Sequence, residues 1–227
     1  DVGVSGAVIV SAANGYQPFV GSVGVRDGSI AWVTDKKLEK SECEQWVDGS
    51  ERILMPGLVN THCHAPMTLM RGYGGGCDLH TWLNQYIFPA EARLDSRAVA
   101  AGAGLGLAEM IASGVTCVAD MYMHTGTIAE QILEAGISAN LSCGGVYFGA
   151  PEDFSPETCG DCRNQAALTE EWHGAGAGQI LVDASVHGEY TSNPPLWRWM
   201  AEYAAEHRLG MHVHVSETQS EHQASLE

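Results

Sequence analysis

Met55-Pro56-Gly57-Leu58-Val59-Asn60-Thr61-His62-Cys63-His64-Ala65-Pro66-Met67 is the stretch on which the reading of this chain turns. Residues 58–62 form a short apolar run, entered from a Pro-Gly turn and left toward a second proline, and they read as a buried strand. Side chains alternate along a strand, so His62 and His64 share one face at its C-terminal end. Two imidazoles so spaced suit one metal ion, zinc before iron or nickel. Two unrelated surface histidines are the plainer reading of a bare His-x-His, but a pair that ends a buried strand favours the metal.

The same grammar continues toward the C-terminus. Strand candidates at 58–62, 115–121, 138–143, 180–187 and 210–215 alternate with helical stretches at 79–86, 96–113, 127–135, 165–172 and 194–208. Gly114, Gly136 and Gly210 are stop signals, and Ser192 and Asn193 ahead of Pro194 are start signals. Such alternation predicts βα units with parallel strands. Residues 144–161 form a loop rich in Gly, Pro and acid, where a barrel keeps specificity residues. Toward the N-terminus, residues 7–11, 20–26, 29–33 and 45–47 read as short strands, punctuated by the hairpin dipeptides Asn14-Gly15 and Asp27-Gly28. The expected organisation is a small β module over 1–53 and a βα region over 54–227.

Two further motifs lie at strand ends. Met211-His212-Val213-His214-Val215-Ser216-Glu217 places His212 and His214 on one face, with an acid on the following loop. His214 is a candidate third ligand, and Glu217 is a candidate proton shuttle for a metal-activated water. Helix capping is the plainer role for Glu217. His212 lies deeper in the strand and reads as structural. His187, in Val186-His187-Gly188-Glu189-Tyr190-Thr191, is open to ligation, substrate polarisation or a core hydrogen bond.

Composition narrows the partners. The 227 residues are 45% hydrophobic, with 11 Lys+Arg against 28 Asp+Glu, a net charge of -17. So acidic a chain argues against nucleic acid and anionic membranes and favours small neutral or cationic partners. No apolar run reaches the ~18–20 residues of a membrane span, and no signal-peptide pattern opens the chain. Seven cysteines, an odd number in a chain of this size, argue for a reducing compartment, the cytoplasm, over a disulfide framework.

Together these motifs resemble the amidohydrolase superfamily, in its branch of 5-methylthioadenosine/S-adenosylhomocysteine deaminases and related chlorohydrolases. The resemblance runs from Met55 through Gly72, then through Asp78-Leu79, Trp82-Leu83, Ile87-Phe88-Pro89-Ala90-Glu91, Gly114-Val115-Thr116, Asp120-Met121-Tyr122, His187–Thr191 and His214–Thr218. It implies a (β/α)8 TIM-type barrel, about five strands of it in this chain, with a small β-sandwich at the N-terminus. It implies that His62, His64 and His214 bind one divalent metal ion, zinc or else Fe2+. Glu217 would carry the proton and His187 would orient the substrate. Glu91 would bind the ribose hydroxyls, and Trp82 is a further substrate-binding candidate. The implied activity is hydrolytic deamination of adenosine, 5′-deoxyadenosine, 5′-methylthioadenosine or S-adenosylhomocysteine, releasing ammonia. The relatives are commonly homodimers or tetramers.

The chain also departs from the family pattern. A complete barrel needs about 250 residues, so this reads as the N-terminal half of a longer enzyme. A later His and a metal-binding Asp are expected beyond residue 227. Cys143 stands where these deaminases carry an Arg for the substrate tail, and Arg163 is the one nearby substitute. That favours substrates without an amino-acid tail. The binuclear branch needs a bridging Lys, whereas Lys36, Lys37 and Lys40 all precede the first βα unit. Cytidine-deaminase zinc motifs run H-x-E and then P-C-x-x-C; here Cys159-Gly160-Asp161-Cys162 precedes His187-Gly188-Glu189, so that order is reversed. The surviving alternatives are a hydrolase of guanine, s-triazines or chlorinated heterocycles, and a non-catalytic fragment.

Overall fold

The computed structural model describes residues 1–226. Its contacts divide the chain into two compact units, Asp1–Gly57 and a second beginning at Leu58. No helix among the described residues is long and apolar enough to cross a membrane.

The first unit holds β1 (Val2–Ile9), β2 (Phe19–Arg26), β3 (Ser29–Thr34), β4 (Gln45–Asp48) and β5 (Ile53–Leu54). They form one sheet in the order β3-β2-β1-β4, with β5 also on β1. β1–β2 and β2–β3 are antiparallel, while β4 and β5 run parallel to β1. Asp27 and Gly28 both take positive φ, as the tight hairpin between β2 and β3 requires. β1 begins five residues before its expected start. Its buried face is Gly3, Ser5, Ala7 and Ile9, too small and polar to read as a strand. A bulge between Ser5 and Ala7, with Gly6 at φ 76°, breaks the alternation further. Within this unit the strands form a single sheet.

The second unit alternates parallel strands and helices, as the sequence predicts. β6 (Leu58–Cys63), β7 (Val115–Met121), β8 (Ser138–Ser142) and β9 (Ile180–Val182) pair in that order, and β10 (Ala184–Gly188) pairs with β11 (Met211–His214). The helices Ser96–Ala112, Thr125–Ala135, Gly160–Trp172 and Pro194–His207 fall between them. The strand expected over 180–187 is broken at Asp183. There the backbone N–H turns to Leu141 O at 2.9 Å and the carboxylate accepts from Asn140 at 3.3 Å. One apolar cluster joins Val99, Leu107, Val118, Ile132, Leu141 and Ile180. A second joins Cys159, Cys162, Val186, Leu196 and Met200, so this cysteine pair fills core. All seven cysteines are free thiols.

The helix expected over 79–86 is irregular. Asp78 caps a single turn, Leu79–Thr81, and the chain then widens into a π-helical segment, Trp82–Ile87, before Phe88–Glu91. Pro89 has no N–H for the Gln85 carbonyl, and the Phe88 amide reaches back five residues to Leu83 O. The wide turn buries Leu83 and Ile87 and carries Glu91 inward.

The segment after the histidine pair is fixed by close backbone packing. It forms the 3-10 helix Ala65–Met70, against which helix Ser96–Ala112 lies. A Cβ at Gly102 would sit 2.4 Å from Pro66 O, and one at Gly106 3.0 Å from Ala65 O. Thr68 Oγ1 donates to Gly102 O at 2.7 Å across the same seam. Gly102→Ala should therefore destabilise the protein by about 1–3 kcal/mol in denaturant melts, although alanine is the better helix former by about 1 kcal/mol. Gly104→Ala, whose Cβ would meet only the Gln131 side-chain end at 3.3 Å, is the control and should be neutral or stabilising. Equal effects from the two substitutions would show that the seam is not tight.

Candidate metal centre

β6 carries His62 and delivers His64 just past its end, and β11 delivers His214 at its last position. One ring nitrogen from each lies within 4.8 Å of the others. His64 Nδ1 donates to Met121 O on β7, and His214 Nδ1 donates to His187 O on β10 at 2.6 Å. These bonds occupy the δ nitrogens and leave Nε2 unprotonated on both rings, the ligand-ready tautomer. His62 Nε2 lies 3.1 Å from His214 Nε2. Tetrahedral zinc–imidazole bonds of about 2.0–2.1 Å place ligand nitrogens about 3.3 Å apart, so the donor set and the His62–His214 spacing fit such an ion.

The turn between the two β6 ligands is held from β7. Asp120, 1% exposed, accepts from the Ala65 amide at 2.8 Å and from the Cys63 thiol at 3.5 Å. Burial pushes its carboxyl up to about 6, against the opposing pull of those two donors. Burial likewise holds His62 and His64 below the ordinary imidazole range, and neighbouring imidazoles add to this. His187 and His212 are pushed down to about 4, chiefly by burial and then by adjacent rings. For His62, His64, His187 and His212 the direction is the same, away from the charged imidazolium.

A cavity of about 460 Å³ opens beside this cluster, at the C-terminal ends of the strands. His64, His214, His187, Glu217, Glu91 and Trp82 all line it. His62 is bonded behind them to His212, at 2.8 Å between His62 Nδ1 and His212 Nε2. Thr191 Oγ1 donates to Gly188 O, so His187 Nδ1 donates to that hydroxyl at 2.9 Å and its Nε2 stays an acceptor. Glu217 accepts from the Tyr190 hydroxyl at 3.0 Å. Glu217 is not the cap of the last helix: Thr218 takes that place, with Glu221 closing the capping box. Glu91 is 9% exposed, and burial raises its carboxyl pKa, partly offset by the Tyr122 phenol. Trp82 spends its indole N–H on Tyr73 O at 2.9 Å and offers the cavity only its ring. Cys143 lines the cavity, whereas Arg163 donates to Glu157 O at 2.8 Å and is not among the lining residues.

Three participants escaped the sequence reading. Tyr190 sits inside a quoted motif, but only the fold shows that it reaches Glu217. Asp120 follows an apolar run, and its burial beneath the β6 turn is a tertiary fact. Ser142 touches the histidine cluster through His212 Nδ1 at 3.1 Å, and nothing in its own neighbourhood signals this.

Comparison with known proteins bears on this site. The chain is 39% identical over 201 residues to a 5′-deoxyadenosine deaminase of Methanothermobacter thermautotrophicus, covering 88% of this chain and 46% of the relative. It is 35% identical over 221 residues to a 5-methylthioadenosine/S-adenosylhomocysteine deaminase of Symbiobacterium thermophilum, covering 97% and 47%. Among solved structures, a zinc-bound adenosine deaminase from Xanthomonas campestris superposes with a TM-score of 0.81 at 25% identity, covering 100% of this chain and 52% of that one. An atrazine chlorohydrolase from Arthrobacter aurescens reaches a TM-score of 0.84 at 18% identity and shares the fold alone, with 96% and 53% covered. The chain thus spans about half the length of the curated relatives it matches. Residues 53–227, from β5 through the whole histidine cluster and Glu217, match the amidohydrolase family, and the chain belongs to that family.

Proposed function

We propose that this chain supplies the first βα units of a (β/α)8 barrel and most of the active site of a metal-dependent aminohydrolase. The reaction is hydrolytic deamination of an adenosine-type nucleoside. The observation that carries this reading is a single cavity lined by two members of the imidazole triad, by Glu217 and by the buried Glu91. Relatives that match over most of the chain are named for 5′-deoxyadenosine, 5-methylthioadenosine and S-adenosylhomocysteine. Those named for triazines or guanine are 20% identical or less and support only the fold.

His62, His64 and His214 hold one divalent ion, zinc by the chemistry of an all-imidazole donor set. When bound, the ion supplies Lewis acidity that brings a water's pKa close to neutral. Glu217 accepts the proton of the attacking water and passes it to a purine ring nitrogen. The water oxygen is by then bonded to the ring carbon; the proton of that new hydroxyl passes to the exocyclic nitrogen, the bond from the ring carbon to that nitrogen breaks, and ammonia leaves behind a ring carbonyl. Tyr190 fixes the Glu217 carboxylate for both transfers. His187 presents Nε2 to the substrate beside the reacting centre. Glu91 accepts from the ribose hydroxyls, and the Trp82 ring covers an apolar face of the nucleoside. With Cys143 in the wall and Arg163 turned away, an uncharged 5′ substituent fits better than an amino-acid tail.

In the complete enzyme carrying this chain, Glu217→Gln should leave metal content unchanged and cut ammonia release from 5′-deoxyadenosine by about 10²–10⁴-fold. A rate within about tenfold of wild type would remove the proton-transfer role. His214→Ala should lose the metal on dialysis, as measured by elemental analysis. One ion per chain retained in that variant would exclude His214 as a ligand. Equal rates on nucleoside and free base would remove the ribose-binding role of Glu91.

A further inference from the structure

Two of the three candidate ligands are oriented by backbone carbonyls, and the third is not. His62 Nδ1 faces the side chain of His212, 2.8 Å from its Nε2. His212 Nδ1 lies 3.1 Å from Ser142 Oγ, and that hydroxyl donates to Asp120 O at 3.4 Å. The two imidazole rings meet edge to face, at 79° with centroids 5.1 Å apart. The chain of contacts crosses from β6 to β11 and back to β8, and so links two sheets that otherwise meet through little backbone pairing.

The ends of this chain fix the direction of every bond in it. At one end stands a backbone carbonyl, which only accepts, so the Ser142 hydroxyl donates its proton outward. Its oxygen is then left to accept from His212 Nδ1–H. A neutral His212 with its proton on Nδ1 has a lone pair on Nε2, which accepts from His62 Nδ1–H. A neutral His62 with its proton on Nδ1 has a bare Nε2, and that is the nitrogen facing His214 Nε2 at 3.1 Å. No other arrangement of protons satisfies all three contacts while leaving Nε2 of His62 free for a cation.

We propose that His212, oriented by Ser142, is a positioning residue that sets the tautomer and ring angle of His62 for metal binding. This rests on the metal-site reading above. His212 touches neither the ion nor the substrate. It does for His62 what the Met121 and His187 carbonyls do for His64 and His214. A side chain in this role, unlike a carbonyl, is open to mutation.

The test uses the complete protein and zinc, with affinity read by competition against a chromophoric chelator. His212→Phe keeps a ring of similar size and removes the acceptor, leaving the His62 Nδ1–H without a partner. Zinc affinity should fall about 10–100-fold, while the melting temperature of the metal-free protein changes little. His212→Gln returns a side-chain oxygen as acceptor and should recover most of the affinity. Ser142→Ala leaves His212 in place but frees its tautomer, and it should give a smaller loss in the same direction. Nitrogen-15 spectra of the metal-free wild type should show His62 and His212 both protonated at Nδ1. Wild-type zinc affinity in His212→Phe would overturn the proposal. So would equal losses in His212→Phe and His212→Gln, or a proton on Nε2 of His212. If wild-type protein binds no zinc, the metal reading fails first, and the nitrogen spectra still decide the direction of the chain.

Discussion

Three imidazoles must aim one nitrogen each at a common point while the other nitrogen of each ring stays hydrogen-bonded. This constraint organises the second unit. A histidine on a strand end has two free torsions, and a ring held at only one edge would rotate. Each ring here is pinned from another strand: His64 by Met121 O from the adjacent β7, His214 by His187 O from the adjacent β10, and His62 by His212 from β11 in the other sheet. Parallel strands in register bring those partners to the same level, because every strand ends toward the same side. The proposed metal site is thus a property of several strand ends at once. Packing behind it is correspondingly tight: helix Ser96–Ala112 meets the turn after His64 through glycines, and Asp120 holds that turn from beneath.

The cavity beside the cluster divides the work. His187 and Glu217 stand on the side of the imidazoles, each with one polar atom already committed, to Thr191 and to Tyr190. On the proposed reaction, groups already committed in this way would need little reorganisation. Glu91, in contrast, is raised in pKa by burial in a mostly apolar wall formed by the π-helical turn. A buried carboxyl needs hydrogen-bond donors, and the paired hydroxyls of a ribose would provide them. No Lys or Arg is among the described residues lining the cavity.

Much of this architecture is legible in the sequence. The βα alternation follows from apolar runs bounded by Gly stops, and those strands lie close to where the runs put them. The spacing of His62 and His64, and of His212 and His214, declares shared faces directly. What the sequence hides is tertiary. β1 buries glycine, serine and alanine, so its hydropathy is silent. The strand over 180–187 reads as continuous because Asp183, where two sheets part, is a single polar residue in an apolar run. The π-helical turn needs the knowledge that Phe88 compensates for Pro89. His212 reads as structural from its depth alone, and only the fold brings His62 and Ser142 to its two nitrogens. Glu217 is open to two roles in sequence, and the Thr218–Glu221 capping box takes the rival one away.

The central claim is that Nε2 of His62, His64 and His214 meet at one cation. Anomalous diffraction at the zinc absorption edge, from crystals of the complete protein grown with zinc, tests it most directly. The account predicts one strong peak per chain, about 2.0–2.1 Å from each of the three Nε2 atoms, with the three Nδ1 atoms turned away toward Met121 O, His187 O and His212. No peak at this cluster, or a peak bonded through a δ nitrogen, would contradict it.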